Sequence, residues 1–465
     1  MPSNSSHDQN IKERSTIIGH ATTVLVGQLA VMAFGITDTI VAGRHAPESL
    51  AALSIGSAIF ISIYVALMGI LQALLPVWSE LRGAQEPSRI GSSLRQSLYL
   101  WLAASVLGMW IMLSPDAILR STQIPEALRG DVRHYLAILA YGLPPVLLFR
   151  LYATLNQALG RPQLVTWLQV GALMLKVPLS IWFTFGGKGM PEQGVAGCAW
   201  ATLLVNYGLL FLGCYMLRTQ SLYTPLALWQ RLERPDWAQL ARFLRLGLPA
   251  GLSIMVEITS ITVMALFIAR QGVLAAGANQ IASNMVAVLY MVPLSLAIAT
   301  SARVSFWRGA GNEAQAAGIA KMGLRLTLYS ASVLAAAVVL ARQPIAALYS
   351  THADVIQLAA ALLVPVALWH VADAAQTLCI FVLRSYRITI VPLAVYGMLL
   401  WGVGLAGGYI LAYQGLGWGS WSLAPLNSPM PFWYAGSLAL TLVSLIFYVL
   451  LNYALRQISS ATKSI

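Results

Sequence analysis

Apolar residues run along this chain in twelve long blocks, separated by short stretches where Arg, Asn, Gly and Pro gather. The blocks fall near residues 16–43, 53–77, 92–114, 134–157, 164–186, 194–216, 239–270, 279–302, 318–341, 355–382, 389–413 and 434–456. Each exceeds the roughly twenty residues that an α-helix needs to cross about 30 Å of hydrocarbon. None shows the alternation of period two that a membrane β-barrel requires. Inside lipid no water satisfies a free backbone amide, so blocks of this length predict transmembrane helices. Blocks one, seven and ten are longer than the hydrocarbon is thick, which predicts tilt, bending or extension beyond it. The first block follows the polar stretch MPSNSSHDQNIKERS and is too long for the apolar core of a cleaved signal peptide, so it is expected to be a span.

Composition agrees with this pattern. The chain is 58% hydrophobic and 9% charged, with a mean hydropathy of +0.72. A water-facing domain carries about 25% charged residues, so this one is expected to have the lipid bilayer as its solvent. The formal net charge of +12 would suggest a nucleic-acid partner if it were clustered, but its distribution argues otherwise. An even number of spans returns both termini to one side. Twenty Lys and Arg residues fall in the segments on that side, Lys463 among them. The opposite segments hold seven: Arg44, Arg120, Arg129, Arg133, Lys188, Arg270 and Arg342. Basic residues accumulate on the cytoplasmic side of membrane proteins, so both termini are expected inside and no nucleic acid is implied.

The 217–238 connection divides the spans into six and six. This predicts a tail at 1–15, a six-helix bundle at 16–216, a linking loop at 217–238, a second bundle at 239–456 and a tail at 457–465. The halves resemble each other. RGAQE at 82–86 answers RGAGNE at 308–313, and LAA at 50–52 answers LAA at 274–276. Leu159-Gly160-Arg161 lines up with Leu383-Arg384-Ser385 at an offset of 224. Six spans per repeat preserve orientation, so the repeats are parallel, and substrate sites in such transporters lie near mid-membrane. The fold class expected is therefore all-α and polytopic, with two pseudo-symmetric six-helix bundles.

Three acids stand apart from those in tails, loops and span ends: Asp38, Glu257 and Asp373. A charge at a helix centre costs about 2.5–3.5 kcal/mol on insertion scales, so such residues call for a role. Glu257 lies 13 residues before the outer end of span seven at Arg270, and Asp373 lies 18 residues after the start of span ten near 355. At 1.5 Å per residue these depths are about 20 and 27 Å, close enough for one shared site that binds and releases a cation. A structural hydrogen bond between helices is the alternative. Asp38 has a different prospect, because Lys176 is the only basic side chain placed deep in a span. A buried ammonium calls for a carboxylate, and Asp38 in the same half is the partner expected. Otherwise Lys176 faces a watery cavity or snorkels.

His370, one helical turn before Asp373, is a candidate for tuning that acid or a hydrogen-bonded bystander. Phe34, Met255, Met264, Tyr290, Met291 and Trp369 are candidate walls for a cavity holding lipophilic cations. Cys198, Cys214 and Cys379 show no metal-ligand spacing and read as buried bystanders. No GxxxxGK[ST] loop, HExxH or nucleophile elbow occurs, so neither ATP drive nor enzyme catalysis by this chain is supported, and no catalytic residue is assigned.

Several motifs carry a family resemblance. They are DTIVAG at 38–43, LAALSIG at 50–56, QALGRP at 157–162, GMPEQGVAGCAWAT at 189–202, GLPAG at 247–251, VPLSLAIATSARVSFWRGAG at 292–311 and DAAQ at 373–376. In this order they resemble the multidrug and toxic compound extrusion (MATE) transporters, nearest the NorM-like bacterial branch. The resemblance implies a multi-pass protein of the bacterial inner (cytoplasmic) membrane that exports cationic amphipathic drugs or dyes in exchange for sodium ions or protons. It puts the coupling cation, sodium if the coupling is to sodium, at Glu257 and Asp373, and Asp38 at the position of the span-one acid. No cofactor is expected, and a monomer is. A lipid-linked precursor flippase or another secondary transporter of the same superfamily is the alternative. The sequence departs from the family at Lys176-Val177-Pro178-Leu179-Ser180, where the family reads NxPLN; lysine and Ser180 replace two amides near Asp38. It departs again at Leu383-Arg384-Ser385-Tyr386, where LRG is usual; that turn is expected to matter little.

Overall fold

The computed structural model describes residues 3–116, 126–187, 189, 191–418 and 421–461. Arg120, Lys188 and Lys463 lie outside these residues, as do the outermost parts of both tails. Among the described residues, twelve helices are long and apolar enough to cross a membrane. They fall into two compact units, Thr22–Gly251 and Met1–Ala21 with Leu252–Ile465.

The first unit begins within α1 (Ser3–His45) and continues through α2 (Pro47–Gln72), α3 (Leu75–Gly83), α4 (Pro87–Leu113), α5 (Glu126–Ala158), α6 (Gln163–Phe185) and α7 (Val195–Thr219). Proline at the first position opens α2 and α4, where its missing N–H is not needed. The second block is two helices, because the chain turns at Ala73-Leu74 before α3. Between α7 and α8 (Trp237–Ala269) the linking loop is strapped to α4. Arg95 donates to the Ala227 carbonyl and pairs with Glu233, and the Tyr99 hydroxyl donates to the Glu233 carbonyl.

The second unit holds the remainder of α8, then α9 (Val273–Gly309), α10 (Glu313–Leu340), α11 (Arg342–Tyr349) and α12 (Ala353–Ser385). Next comes α13 (Ile390–Met398), which runs on through π-helical turns at Leu399–Ala406 and Ile410–Gln414. A hairpin of β1 (Leu416–Trp418) and β2 (Trp421–Leu423) precedes α14 (Met430–Ala461). The wide turns of α13 follow a glycine-rich run. Gly408 leaves space for the Phe432 ring, which a Cβ there would meet at 2.8 Å.

The units divide at residue 251, inside α8, and not within the 217–238 connection. The reason is the GLPAG motif. A Cβ on Gly247 would lie 2.7 Å from the Ile70 carbonyl oxygen, and one on Gly251 would lie 2.5 Å from that of Ala66. Only glycine lets the start of α8 approach the α2 backbone this closely. The helix start is therefore held in the first unit, with Leu246 and Ala250 packed on Ala73. The mirror case is α1, whose first residues belong to the second unit. Glu13, expected in a polar tail, is 5% exposed and pairs with Arg303 through two hydrogen bonds; Trp307 Nε1 donates to it at 3.2 Å. The tail expected at 1–15 is helical from Ser3.

The internal repeat is visible in the backbone. Gln85 and Gly311, 226 residues apart, both adopt positive φ (58° and 74°) after RGA. Gly160 (71°) and Arg387 (62°) do the same after α5 and α12. Each is capped identically: the amide of Arg161 bonds to the Asn156 carbonyl, and that of Ile388 to the Leu383 carbonyl. Arg82 donates to the Ala158 carbonyl, and Arg308 to the Ser385 carbonyl. The residues after α5 and α12 correspond at an offset of 227, and Arg82 and Arg308 at 226, so the 224-residue register proposed for the former element is three residues short. At the corrected register Arg384 corresponds to Gln157, not to Gly160.

Candidate functional site

In the first unit, α1, α6 and α7 converge on Asp38. Lys176 Nζ stands 2.7 Å from its Oδ1, and both side chains are buried, at 0% and 7% residue exposure. The Ser180 hydroxyl, one turn beyond Lys176 on α6, donates to the same oxygen at 3.1 Å. Thr202 on α7 lies 3.4 Å from Oδ2. The ammonium also donates to the Cys198 carbonyl at 3.1 Å and to the Thr202 hydroxyl at 2.6 Å. Every donor of the lysine is thus used, and the carboxylate has a fixed counter-charge. Thr202 and Cys198 are four residues apart on one face of α7, inside the GMPEQGVAGCAWAT motif. That spacing was the available signal for residues that sequence reasoning passed over.

The second unit gathers a different cluster. Asp373 on α12 is 2% exposed. Gln376 Nε2 donates to its Oδ1 at 2.7 Å, and Thr377 Oγ1 approaches the same oxygen at 3.5 Å. The Tyr396 hydroxyl of α13 donates in turn to Gln376 Oε1. Glu257, half-buried on α8, lies within electrostatic reach of Asp373, as do Tyr290 of α9 and Tyr396. Four helices therefore converge on two carboxylates.

A basic group also belongs to this cluster. Arg384 is 3% exposed, stacks on the Phe381 ring at 4.7 Å, and is an electrostatic neighbour of Glu257, Tyr290 and Tyr396. The expectation that Lys176 is the only basic side chain deep in a span is therefore corrected. Helix α12 runs to Ser385, past the expected end at 382. Arg384 follows Asp373 by eleven residues, three turns with about 20° of drift, so both lie on one stripe. Side chains on a helix lean towards its N-terminus, which brings the guanidinium back towards the acids. Arg150, buried on α5 beside Tyr64, is a second such basic group, although it counts among the twenty expected on the cytoplasmic side.

The remaining candidates divide. His370 is buried, and its Nε2 makes no hydrogen bond among the described residues. Met264 and Trp369 belong to the packed core. The Trp369 indole meets Trp433 edge-on at 5.4 Å and fills the space that Gly436 leaves open. Phe34, Tyr290 and Met291 are half-buried, and Met255 is exposed.

Comparison with known proteins gives consistent matches. The family model described as MatE matches residues 24–182 and 249–410. The protein named "Probable multidrug resistance protein NorM" of Aromatoleum aromaticum is 33% identical over 442 residues, 94% of either chain. "Multidrug resistance protein PmpM" of Pseudomonas aeruginosa is 32% identical over 451 residues, 96% of this chain and 92% of that one. Among solved structures, the Vibrio cholerae MATE transporter VcmN in its bent form superposes with a TM-score of 0.83 at 18% identity, covering 96% of this chain and 98% of that chain. That last likeness concerns the fold.

Proposed function

The chain belongs to the MatE family, and from that premise we propose that it is a secondary multidrug exporter of the bacterial inner membrane, with both termini cytoplasmic. It expels cationic amphipathic compounds by alternating access, in exchange for sodium ions or protons, without a cofactor and as a monomer. The observation that carries the coupling reading is the contrast between the two buried acid clusters. Asp38 has its own lysine at 2.7 Å. Glu257 and Asp373 bring two carboxylates together, with one guanidinium within electrostatic reach of Glu257. A site with excess negative charge and neutral amide, hydroxyl and phenol neighbours attracts a small cation or a cationic drug.

Gln376, Thr377 and Tyr396 orient Asp373, so the carboxylate accepts a cation without rearranging its helix. Drug and coupling ion displace each other there, and each occupant biases the protein towards one of two access states. A lipid-linked precursor flippase is the second reading. Buried Arg150 and Arg384 remove the argument against it from scarcity of basic side chains, yet the relatives spanning the chain are named for multidrug resistance. The test is ethidium efflux from proteoliposomes with a sodium gradient and a pH gradient imposed separately. One gradient drives ethidium uphill if the proposal holds, and an absence of uphill transport under both gradients contradicts it.

A further inference from the structure

We infer that Arg384 is the resident counter-cation of the Glu257–Asp373 site, fixing at one the number of positive charges that the site carries in each transit. The inference rests on the coupling role proposed above and adds the stoichiometry. Its geometry is that of one helical stripe: Asp373, Thr377 and Arg384 follow at intervals of four and seven residues on α12, and the Arg384 side chain leans towards the acids. The guanidinium is 3% exposed, and its Nε and Nη1 make no hydrogen bond among the described residues. Its charge is within reach of Glu257. Arg308, which reaches this helix end at the Ser385 carbonyl, is neutralised by Glu313 at 3.2 Å.

A guanidinium does not lose its proton in proteins, so Arg384 contributes one permanent positive charge. Two carboxylates and one guanidinium leave a net charge of minus one. Moving a site with net charge between access states in low dielectric is unfavourable, so each transit is made with the cluster neutral. One monovalent coupling ion neutralises it inward, and one monovalent drug outward. In the first unit, Asp38 and Lys176 already sum to zero and take neither. Arg150 stands with Tyr64, outside the Asp38 cluster. The position corresponding to Arg384 in that unit is the neutral Gln157, so the two bundles carry their fixed cations at different places.

The test is a zero-flux measurement in proteoliposomes, with ethidium as the permanently charged monovalent substrate and the membrane potential clamped. In the wild type, a tenfold gradient of the coupling ion should hold a tenfold ethidium gradient at balance, whatever the potential. Arg384→Gln leaves two negative charges to neutralise, so it should exchange the permanently divalent dye propidium for two coupling ions and hold a hundredfold propidium gradient at balance, which the wild type should not build, while Arg384→Lys should behave as the wild type. A wild-type balance near a hundredfold overturns the inference, with or without a folded glutamine variant. So does a well-folded Arg384→Gln protein that, like the wild type, builds no propidium gradient. Glu257→Gln distinguishes the two levels: coupled transport retained in that variant overturns the site assignment itself, not only the count.

Discussion

Lys176 Nζ lies 2.7 Å from Asp38 Oδ1, in a pocket where Ser180, Thr202 and the Cys198 carbonyl satisfy the remaining valences of the pair. Both charges are buried. Removing one partner from a buried ion pair leaves an uncompensated charge and costs about 3–5 kcal/mol. Asp38→Asn and Lys176→Met should each lower the thermal stability of the detergent-purified protein by an amount of that order. The Asp38→Asn/Lys176→Met double variant should lose far less than the sum of the two. Additive losses in that double-mutant cycle would contradict the pairing.

Close approach of α8 to α2 gives a second expectation. A methyl group on Gly251 would stand 2.5 Å from a backbone oxygen, which cannot swing aside as a side chain can. Gly251→Ala should destabilise by about 1–3 kcal/mol, the usual range for overpacking. Gly208→Ala on α7, with open space around it, should be neutral or slightly stabilising. Thermal melts of the two variants check the contrast.

Glu13 ties the start of α1 to α9. Its carboxylate accepts from Arg303 and from Trp307 Nε1. Hydrogen bonds to charged groups contribute about 1.5–3 kcal/mol each way. Glu13→Gln and Arg303→Gln should each reduce stability within that range, and their combination should add little to the larger single effect. Hydrogen exchange of residues 9–21 should rise in both.

The loop between α7 and α8 supplies the pH dependence. Hydrogen bonding to Arg95, opposed by slight burial and aided by Ser92, holds the Glu233 carboxyl below its usual range. A depressed value in the folded state means that the docking is fully present above the ordinary carboxylate range. It is lost as pH falls through the folded value. Limited proteolysis between residues 220 and 236 should therefore be slow at neutral pH and accelerate on strong acidification. Glu233→Gln should be cleaved faster at neutral pH.

Much of this was legible from the sequence, for a physical reason. Lipid permits few backbone solutions, so twelve apolar blocks predict twelve helices. Lys176 and Asp38 were legible as partners because a buried ammonium needs a carboxylate in the same half. Arg384 was misread because composition ends span ten at 382, while the helix continues to Ser385 and turns its arginine inward. Its eleven-residue spacing from Asp373 was the missed signal. Glu13 was hidden by the polar residues around it, since nothing local shows that Arg303, 290 residues away, is its partner.

The central claim is that coupling resides at Glu257 and Asp373 and not at Asp38. Gradient-driven ethidium efflux should be compared in proteoliposomes holding wild type, Glu257→Gln and the neutral Asp38→Asn/Lys176→Met pair, with folding of each verified. Efflux should fall to the passive leak in Glu257→Gln and persist in the neutral pair. Efflux retained in Glu257→Gln and lost in the folded neutral pair would contradict the account.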